Sequence, residues 1–327
     1  MSSNVLLIST NRCTTPDPVF PLGLSCLNAA LRRAGHRTFW FDRLAEPDRF
    51  EEVLTSCQPD FIALSLRNID DVLIRKQETY YAEPAALRAI IRRHTNAPII
   101  LGGSGFSIFP RRLLELLGAD FGICGAGETG LVALIEALER GGDYRGIPGL
   151  VFRQAGKIVV NPATLYPVDQ ELTDDDRPEA ITSHYLRSSG MLNVQTQRGC
   201  SFRCGYCTYP LIEGRRHLRR QPDQVAAEFE QLQRRGARYV FITDSIFNSS
   251  RQHIVEVCEA ILRRNVKMSW GCFLRPQGLT LDLVKLMAQA GLAHIEFGSD
   301  SFCDEVLAAY RKDLTFDDIL SCGELAR

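Results

Sequence analysis

Three cysteines, Cys200, Cys204 and Cys207, stand at the spacing C-x3-C-x2-C within residues 197–207. Disulfide pairing cannot satisfy them, because one thiol is always left over. Thiolates suit soft sites such as zinc and iron–sulfur centres. Closed cysteine sites for either mostly take four protein ligands, and no nearby fourth residue follows a usual pattern. A 4Fe–4S cluster held by three thiolates would leave one iron open to an outside ligand. On spacing alone, a zinc knuckle or three reduced loop cysteines compete with that reading. The motif directly follows an apolar-periodic strand (Leu192, Val194, Thr196) and precedes a helix. The C-terminal end of a strand is where α/β architectures collect functional residues.

The spacing, the preceding Arg198-Gly199, the aromatic Tyr206 before the last cysteine and the following Thr208-Tyr209-Pro210 resemble the radical S-adenosylmethionine (SAM) enzymes. The resemblance implies that Cys200, Cys204 and Cys207 hold a 4Fe–4S cluster whose open iron is chelated by the amino and carboxylate groups of SAM. One electron then cleaves the sulfonium, giving methionine and a 5′-deoxyadenosyl radical. It also implies an electron donor such as a flavodoxin or ferredoxin.

The elements that must position these residues fall into two halves, and 327 residues are a prior for about two domains. Apolar runs at 5–9, 38–42, 61–66, 98–103 and 121–125 read as strands. A helix with Leu24, Leu27 and Leu31 on one face and helices near 48–57, 83–94, 110–117 and 128–140 separate them. Strands alternating with helices predict a parallel sheet covered on both faces. Ligands of such sheets bind beyond the C-terminal strand ends. Those ends carry Gly102-Gly103-Ser104-Gly105 and Gly125-Ala126-Gly127-Glu128-Thr129. The glycines either admit a ligand close to the backbone or only make tight turns. Neither stretch is a dinucleotide fingerprint or a phosphate loop.

Beside the cysteine motif, the Pro21-Leu22-Gly23 entry, the Ala34-Gly35-His36 turn, the Leu-Gly-Gly strand and the Gly-x-Gly-Glu-Thr turn resemble the N-terminal domain of cobalamin-binding radical SAM proteins. The resemblance implies cobalamin contacts from Gly23, Ser65, Gly102, Gly103, Ser104, Gly125, Gly127, Glu128 and Thr129. The Asp-x-His-x-x-Gly motif is absent, so the cofactor is expected to lack a histidine lower ligand. Arg67 follows the third strand. It either sits under the corrin or pairs with Asp70 or Asp71.

Residues 149–153 and 157–161 read as a β-hairpin, and 162–190, polar with Asp174-Asp175-Asp176, as a linker. In the second half, strands at 192–197, 239–244, 268–272 and 293–298 alternate with helices and resemble a partial radical SAM (β/α) barrel. The resemblance places Asp244, Asp300, Ser301 and Tyr206 near SAM. The basic cluster 215–220 reads as a solvated loop, a nucleic-acid or sorting signal, or a cationic rim for SAM or an anionic substrate.

The expected domains are thus a Rossmann-like cobalamin domain with hairpin over 1–161, a linker over 162–190 and the partial barrel over 191–327. Four strand–helix units stand where the family's barrel has six. The chain is therefore expected to be a fragment, a truncated product or one completed by another chain. Strand 293–298 would then be an open edge, with Phe297, Phe302, Val306 and Leu307 uncovered.

The net charge of −1 argues against a general nucleic-acid binder. No apolar run has transmembrane length and no signal pattern opens the chain, so a cytoplasmic protein is the default. Eleven cysteines, an odd number, read as buried thiols plus a metal site. The implied function is methyl transfer to an unactivated carbon of an unidentified substrate, with cobalamin as methyl donor. The alternatives are a radical rearrangement or ring contraction on the same cofactors, or an inactive cobalamin-binding paralogue.

Overall fold

The computed structural model describes residues 2–70, 78–164 and 171–326. The chain divides into two compact units, 1–166 with 172–184, and 167–171 with 185–327. In chain order the first unit contains β1 (Asn4–Ser9), α1 (Leu22–Arg33), β2 (Arg37–Asp42), α2 (Phe50–Cys57), β3 (Phe61–Ser65), α3 (Ala82–His94), β4 (Ile99–Gly102) and α4 (Ser104–Ile108). It continues with α5 (Pro110–Leu117), β5 (Phe121–Ile123), α6 (Glu128–Glu139), β6 (Leu150–Gln154) and β7 (Lys157–Val160).

Its sheet has the order β2-β1-β3-β4-β5-β6-β7. The first five strands are parallel, and the hairpin β6–β7 extends the edge antiparallel to β5. Side-chain alternation sorts the core. Leu6, Ile8, Ile62, Leu64 and Leu101 pack with Phe50, Leu54, Leu87, Ile91 and Leu113 on one face. Val5, Leu7, Ala63 and Ile100 pack with Leu24, Leu31, Leu131 and Leu134 on the other. Each of the buried Val, Leu, Ile and Phe side chains contributes about 1.5–3 kcal/mol of transfer free energy. That double-sided burial explains why these strands are short continuous apolar runs. In this order the connection changes direction between β1 and β3, the switch point at which such sheets open a ligand crevice.

Within the stretch expected to be a linker, the described residues 171–190 hold regular structure. It carries a 3-10 turn (Asp174–Asp176) and helix α7 (Glu179–Ser189). Thr173 closes a capping box on Asp176, with its N–H and Oγ1 donating at 2.8 and 2.9 Å. Arg32 of α1 pairs with Asp175 at 2.9 Å and Asp176 at 3.3 Å. The acidic triplet is therefore held by a distant helix, a contact that local composition does not reveal.

The second unit continues with β8 (Met191–Val194), β9 (Gln197–Arg198), α8 (Tyr209–Ile212), β10 (Leu218–Arg219), α9 (Pro222–Arg234), β11 (Tyr239–Ile242) and α10 (Arg251–Arg263). It ends with β12 (Ser269–Leu274), α11 (Leu281–Gln289), β13 (Leu292–Phe297), α12 (Asp304–Ala309) and α13 (Phe316–Leu325). Its sheet is β13-β12-β11-β8, parallel throughout and in chain order. Helices bury Val225, Phe229 and Leu232, then Ile254, Val257 and Ile261, then Leu283 and Met287. Ser250 and Thr280 cap α10 and α11 by accepting from His253 N and Leu283 N. Gly291 has φ +104°, and a Cβ there would lie 2.3 Å from the Met268 carbonyl, so only glycine turns α11 back into β13.

Strand β13 has exposed Ala293, His294 and Glu296. Phe302 is 70% exposed, stacked edgewise on Phe316. Leu307, expected to be uncovered, is instead fully buried. It lies on α12, whose packing the strand pattern gave no means to foresee.

Candidate functional site

The cysteine loop begins where β8 ends. β9 pairs antiparallel with β10, closing the loop at its base. Cys200 N donates to Gly214 O at 3.1 Å, and Gly205 N to Tyr310 O at 2.8 Å. Glu213 accepts from Gln195 Nε2 (2.7 Å), Gly199 N (3.1 Å) and Ser245 Oγ (3.1 Å). Gly199 has φ +83°, and a Cβ there would lie 2.0 Å from the Arg216 carbonyl, so the glycine before the first cysteine is a steric requirement.

All three thiols are free and half-buried. Burial is the main cause raising the Cys200 and Cys207 thiols above their ordinary range, and the other loop thiols add to it. Two cations act the other way, Arg275 on Cys200 and Lys312 on Cys207. Among the described residues, no group of three His, Cys, Asp or Glu converges on a single ion. The donor set is three thiols on one loop with cations behind them, which suits a thiolate-held iron–sulfur body.

Asp244 follows β11 at the carboxyl edge, where the resemblance implies a place beside SAM. The structure buries it completely. Its Oδ1 accepts from Thr196 N (2.7 Å) and Gln197 N (3.2 Å), and its Oδ2 bonds Thr196 Oγ1. Both oxygens are taken up by the strand end that launches the cysteine loop, so Asp244 positions the loop and is closed to a ligand. Thr196 Oγ1 also meets His253 Nε2 at 2.8 Å.

Burial pushes the Asp244 carboxyl up to about 7, with Glu213 adding. It pushes His253 down to about 4, with Arg219 and His217 adding. Unfolded Asp titrates at about 3.9 and His at about 6.5. The Asp244 contribution to stability is full below about 4 and is lost as pH rises through about 7. The His253 contribution is full above about 6.5 and is lost as pH falls through about 4. The two oppose each other across the same window. Asp244→Asn is therefore expected to make stability fall on acidification below about pH 6.5, and His253→Gln to make it fall as pH rises towards about 7. Urea midpoints across that range check both, and parallel profiles for the two variants would refute the assignment.

Tyr206 and Asp300, each expected near SAM, meet one another, and a third residue joins them. Tyr206 Oη donates to Asp300 Oδ2. Lys312 Nζ lies 2.5 Å from the same oxygen and 3.1 Å from Tyr206 Oη. Asp300 holds φ +61°, a strained conformation for a non-glycine. Ser301 Oγ accepts from Cys303 N at 3.1 Å, a local turn ahead of α12. Arg275 lies over the Phe202 ring at 3.9 Å and donates to the carbonyls of Lys312 and, at 3.2 Å, Asp313. Sequence reading missed Lys312 and Arg275. Arg275 follows β12 directly, and position at a carboxyl strand end was the available signal. Lys312 lies 106 positions from Tyr206 and gave none.

In the first unit the glycine-rich turns also lie at the carboxyl edge. Gly103 has φ +96°, and a Cβ there would be 2.6 Å from the Leu66 carbonyl and 2.9 Å from Ser65 Oγ. That glycine is explained by the close approach of β3 and β4. Gly23 has nothing within 4 Å of a built Cβ, and Gly102 only the Ile123 carbonyl at 3.8 Å. These two leave the bare backbone that a large ligand needs. Ser104 Oγ donates to Arg67 O at 2.8 Å. Ser107 Oγ accepts from Gly125 N and donates to Gly103 O, each at 2.9 Å. A Cβ on Gly127 would lie 3.1 Å from the Leu27 side chain, Glu128 is buried in the first turn of α6, and Thr129 is exposed. Arg67 is exposed, and no described residue pairs with its guanidinium. Asp71 lies outside the described residues. His36 precedes β2 and His94 ends α3, so both stand at the opposite edge.

The chain is 26% identical to a tryptophan 2-C-methyltransferase of Streptomyces laurentii, over 94% of this chain and 61% of the relative. It is 26% identical to an anaerobic magnesium-protoporphyrin IX monomethyl ester cyclase of Cereibacter sphaeroides, over 90% and 49%. The radical SAM methyltransferase TsrM of Kitasatospora setae, solved with tryptophan and a SAM analog, matches at TM-score 0.89 and 27% identity, over 100% of this chain and 66% of that one. The chain thus spans about half to two thirds of the length of these relatives. Among the described residues no helix is long and apolar enough to cross a membrane. Residues 9–135 match the B12 binding domain and residues 194–327 the radical SAM superfamily. With a switch-point sheet in the first unit and three loop thiols at a carboxyl strand end in the second, the chain joins a B12-binding domain to a domain of the radical SAM superfamily.

Proposed function

We propose that this chain carries the cofactor-binding part of a cobalamin-dependent radical SAM methyltransferase that acts on an unactivated carbon. The observation that carries the reading is the C-x3-C-x2-C thiol set on a loop fixed at both ends, in a chain that also holds a B12-binding sheet. When bound, the 4Fe–4S cluster supplies one electron to SAM and cobalamin carries the methyl group, so the difficult chemistry belongs to the cofactors. Cys200, Cys204 and Cys207 hold the cluster. Glu213, Gly199 and the Thr196–Asp244–His253 set hold the loop in place. Tyr206, Asp300 and Ser301 line the cluster side of the site. In the first unit Gly23, Ser65, Gly102, Gly103, Ser104, Gly125, Gly127, Glu128 and Thr129 border the corrin. Arg67, exposed at the end of β3, would lie beside the corrin. A small one-electron donor protein, a flavodoxin or ferredoxin, reduces the site.

The cyclase relative favours a second reading, radical chemistry without methyl transfer. Isotope labelling separates the two. Reduced protein loaded with cobalamin and methyl-labelled SAM is incubated with tryptophan, the substrate in the TsrM structure, and with other indoles. Label on a carbon of the acceptor is the expected result. SAM cleavage with all label retained in methionine would replace methyl transfer by the second reading.

A further inference from the structure

Lys312 is a buried cation, its side chain only 6% exposed. Burying a charge is costly unless it is compensated. Its direct partner, Asp300, is about a third exposed, so the pair sits at the border of the site. The residues around Lys312 aim it deliberately. Arg311 and Asp313 on either side hold φ +54° and +48°. Lys312 N donates to Leu307 O at 3.0 Å, and the Lys312 carbonyl accepts from Arg275. Leu307 anchors α12 in the core. The resulting turn also receives Gly205 N on the Tyr310 carbonyl, so it is fastened to the cysteine loop itself. The Lys312 ammonium lies 5.6 Å from the centre of the Tyr206 ring, one residue before Cys207.

We propose that Lys312 and Asp300 are an opposed pair of charges that sets the reduction potential of the centre held by Cys200, Cys204 and Cys207. The inference rests on the iron–sulfur reading above. A site that already gathers three thiolates gains one more negative charge when it is reduced. A fixed cation nearby stabilises that state and a fixed anion disfavours it, each by Coulomb interaction in a partly desolvated environment. Both charges reach the cysteine loop through Tyr206, the residue before Cys207, whose Oη donates to Asp300 and lies 3.1 Å from Lys312 Nζ. Arg275, over the Phe202 ring of the same loop at 3.9 Å, holds the Lys312 carbonyl. The pair therefore does more than join the α12–α13 turn to the loop.

The test is a redox titration of anaerobically reconstituted protein, followed by electron paramagnetic resonance with SAM left out and iron measured in each sample. Lys312→Met is expected to shift the midpoint to more negative potential. Asp300→Asn is expected to shift it to more positive potential, and Lys312→Arg to stay near wild type. The opposite signs are the signature, because a joint that only holds the turn would move both variants the same way or neither. Parallel shifts, unchanged midpoints, or loss of iron from Asp300→Asn would overturn the proposal. If Lys312→Met fails to retain iron, Asp300→Asn decides alone. Wild-type protein that takes up no iron would overturn the reading beneath the proposal as well, which separates that failure from this one.

Discussion

Replacing Cys200, Cys204 and Cys207 together by alanine is expected to lower bound iron from about four per reconstituted chain to none, as three-thiolate ligation of a cubane implies. The visible absorption of the cluster should vanish with the metal. The chain itself should stay folded, because the loop backbone is held independently of the thiols. Cys200 N is held by Gly214 O, Gly205 N by Tyr310 O, and Gly199 N by Glu213. Far-ultraviolet circular dichroism close to wild type, alongside the lost iron, is therefore part of the expected result. Elemental analysis decides the matter. Stoichiometric zinc in the wild-type protein with iron absent would end the iron–sulfur reading, and iron retained by the triple variant would show that other ligands hold it.

The largest expected change in stability comes from a pair behind the same loop. Arg220 and Glu228 meet at 2.6 Å with side chains 4% and 1% exposed. Arg220 also donates from Nη1 to Gln195 O at 2.8 Å and from its N–H to Thr196 O at 2.9 Å. It thereby ties α9 to the strand end that leads into Cys200. Glu228→Ala leaves a buried guanidinium without its carboxylate, which costs about 3–5 kcal/mol. Urea denaturation should show that loss at neutral pH. The double variant Arg220→Met/Glu228→Leu is expected to recover most of it, because replacing a whole buried pair by apolar residues of similar volume is often neutral or stabilising. A single-variant loss below about 1 kcal/mol would place the pair with surface ion pairs, which contribute that little.

Much of the site was legible because its signal is local. The three cysteines, Gly199 and Tyr206 lie within eight residues of one another, and thiolate chemistry permits few uses for that spacing. The first sheet was legible for a related reason. Strands such as β1 and β3 are buried on both faces, so their apolar runs stand out. The carboxyl-edge rule then picked out Gly102 and Gly125 from position, and the resemblance added Asp244 and Asp300.

The rule could not say which of those edge residues face a ligand. Asp244 and Asp300 both end strands of the second sheet, yet one is wholly buried under Thr196 and Gln197 while the other is a third exposed beside Lys312. Gly102 and Gly103 are neighbours, yet one leaves space and the other is filled by Leu66. Such differences depend on how closely two strand ends approach, a distance that no single strand encodes.

By itself the sequence determined the two α/β halves, the cysteine loop and the family that its spacing belongs to, because periodicity, turns and thiol spacing are properties of adjacent residues. Only the tertiary structure decided that the acidic stretch near Asp175 is pinned to α1 and that Asp244 serves the loop. It alone brought Lys312 and Arg275 from distant positions to stand behind the thiols. Those outcomes rest on long-range packing and on the cost of burying unpaired charge. Both act between residues about a hundred positions apart in the case of Tyr206 and Lys312, where no local pattern can carry the information.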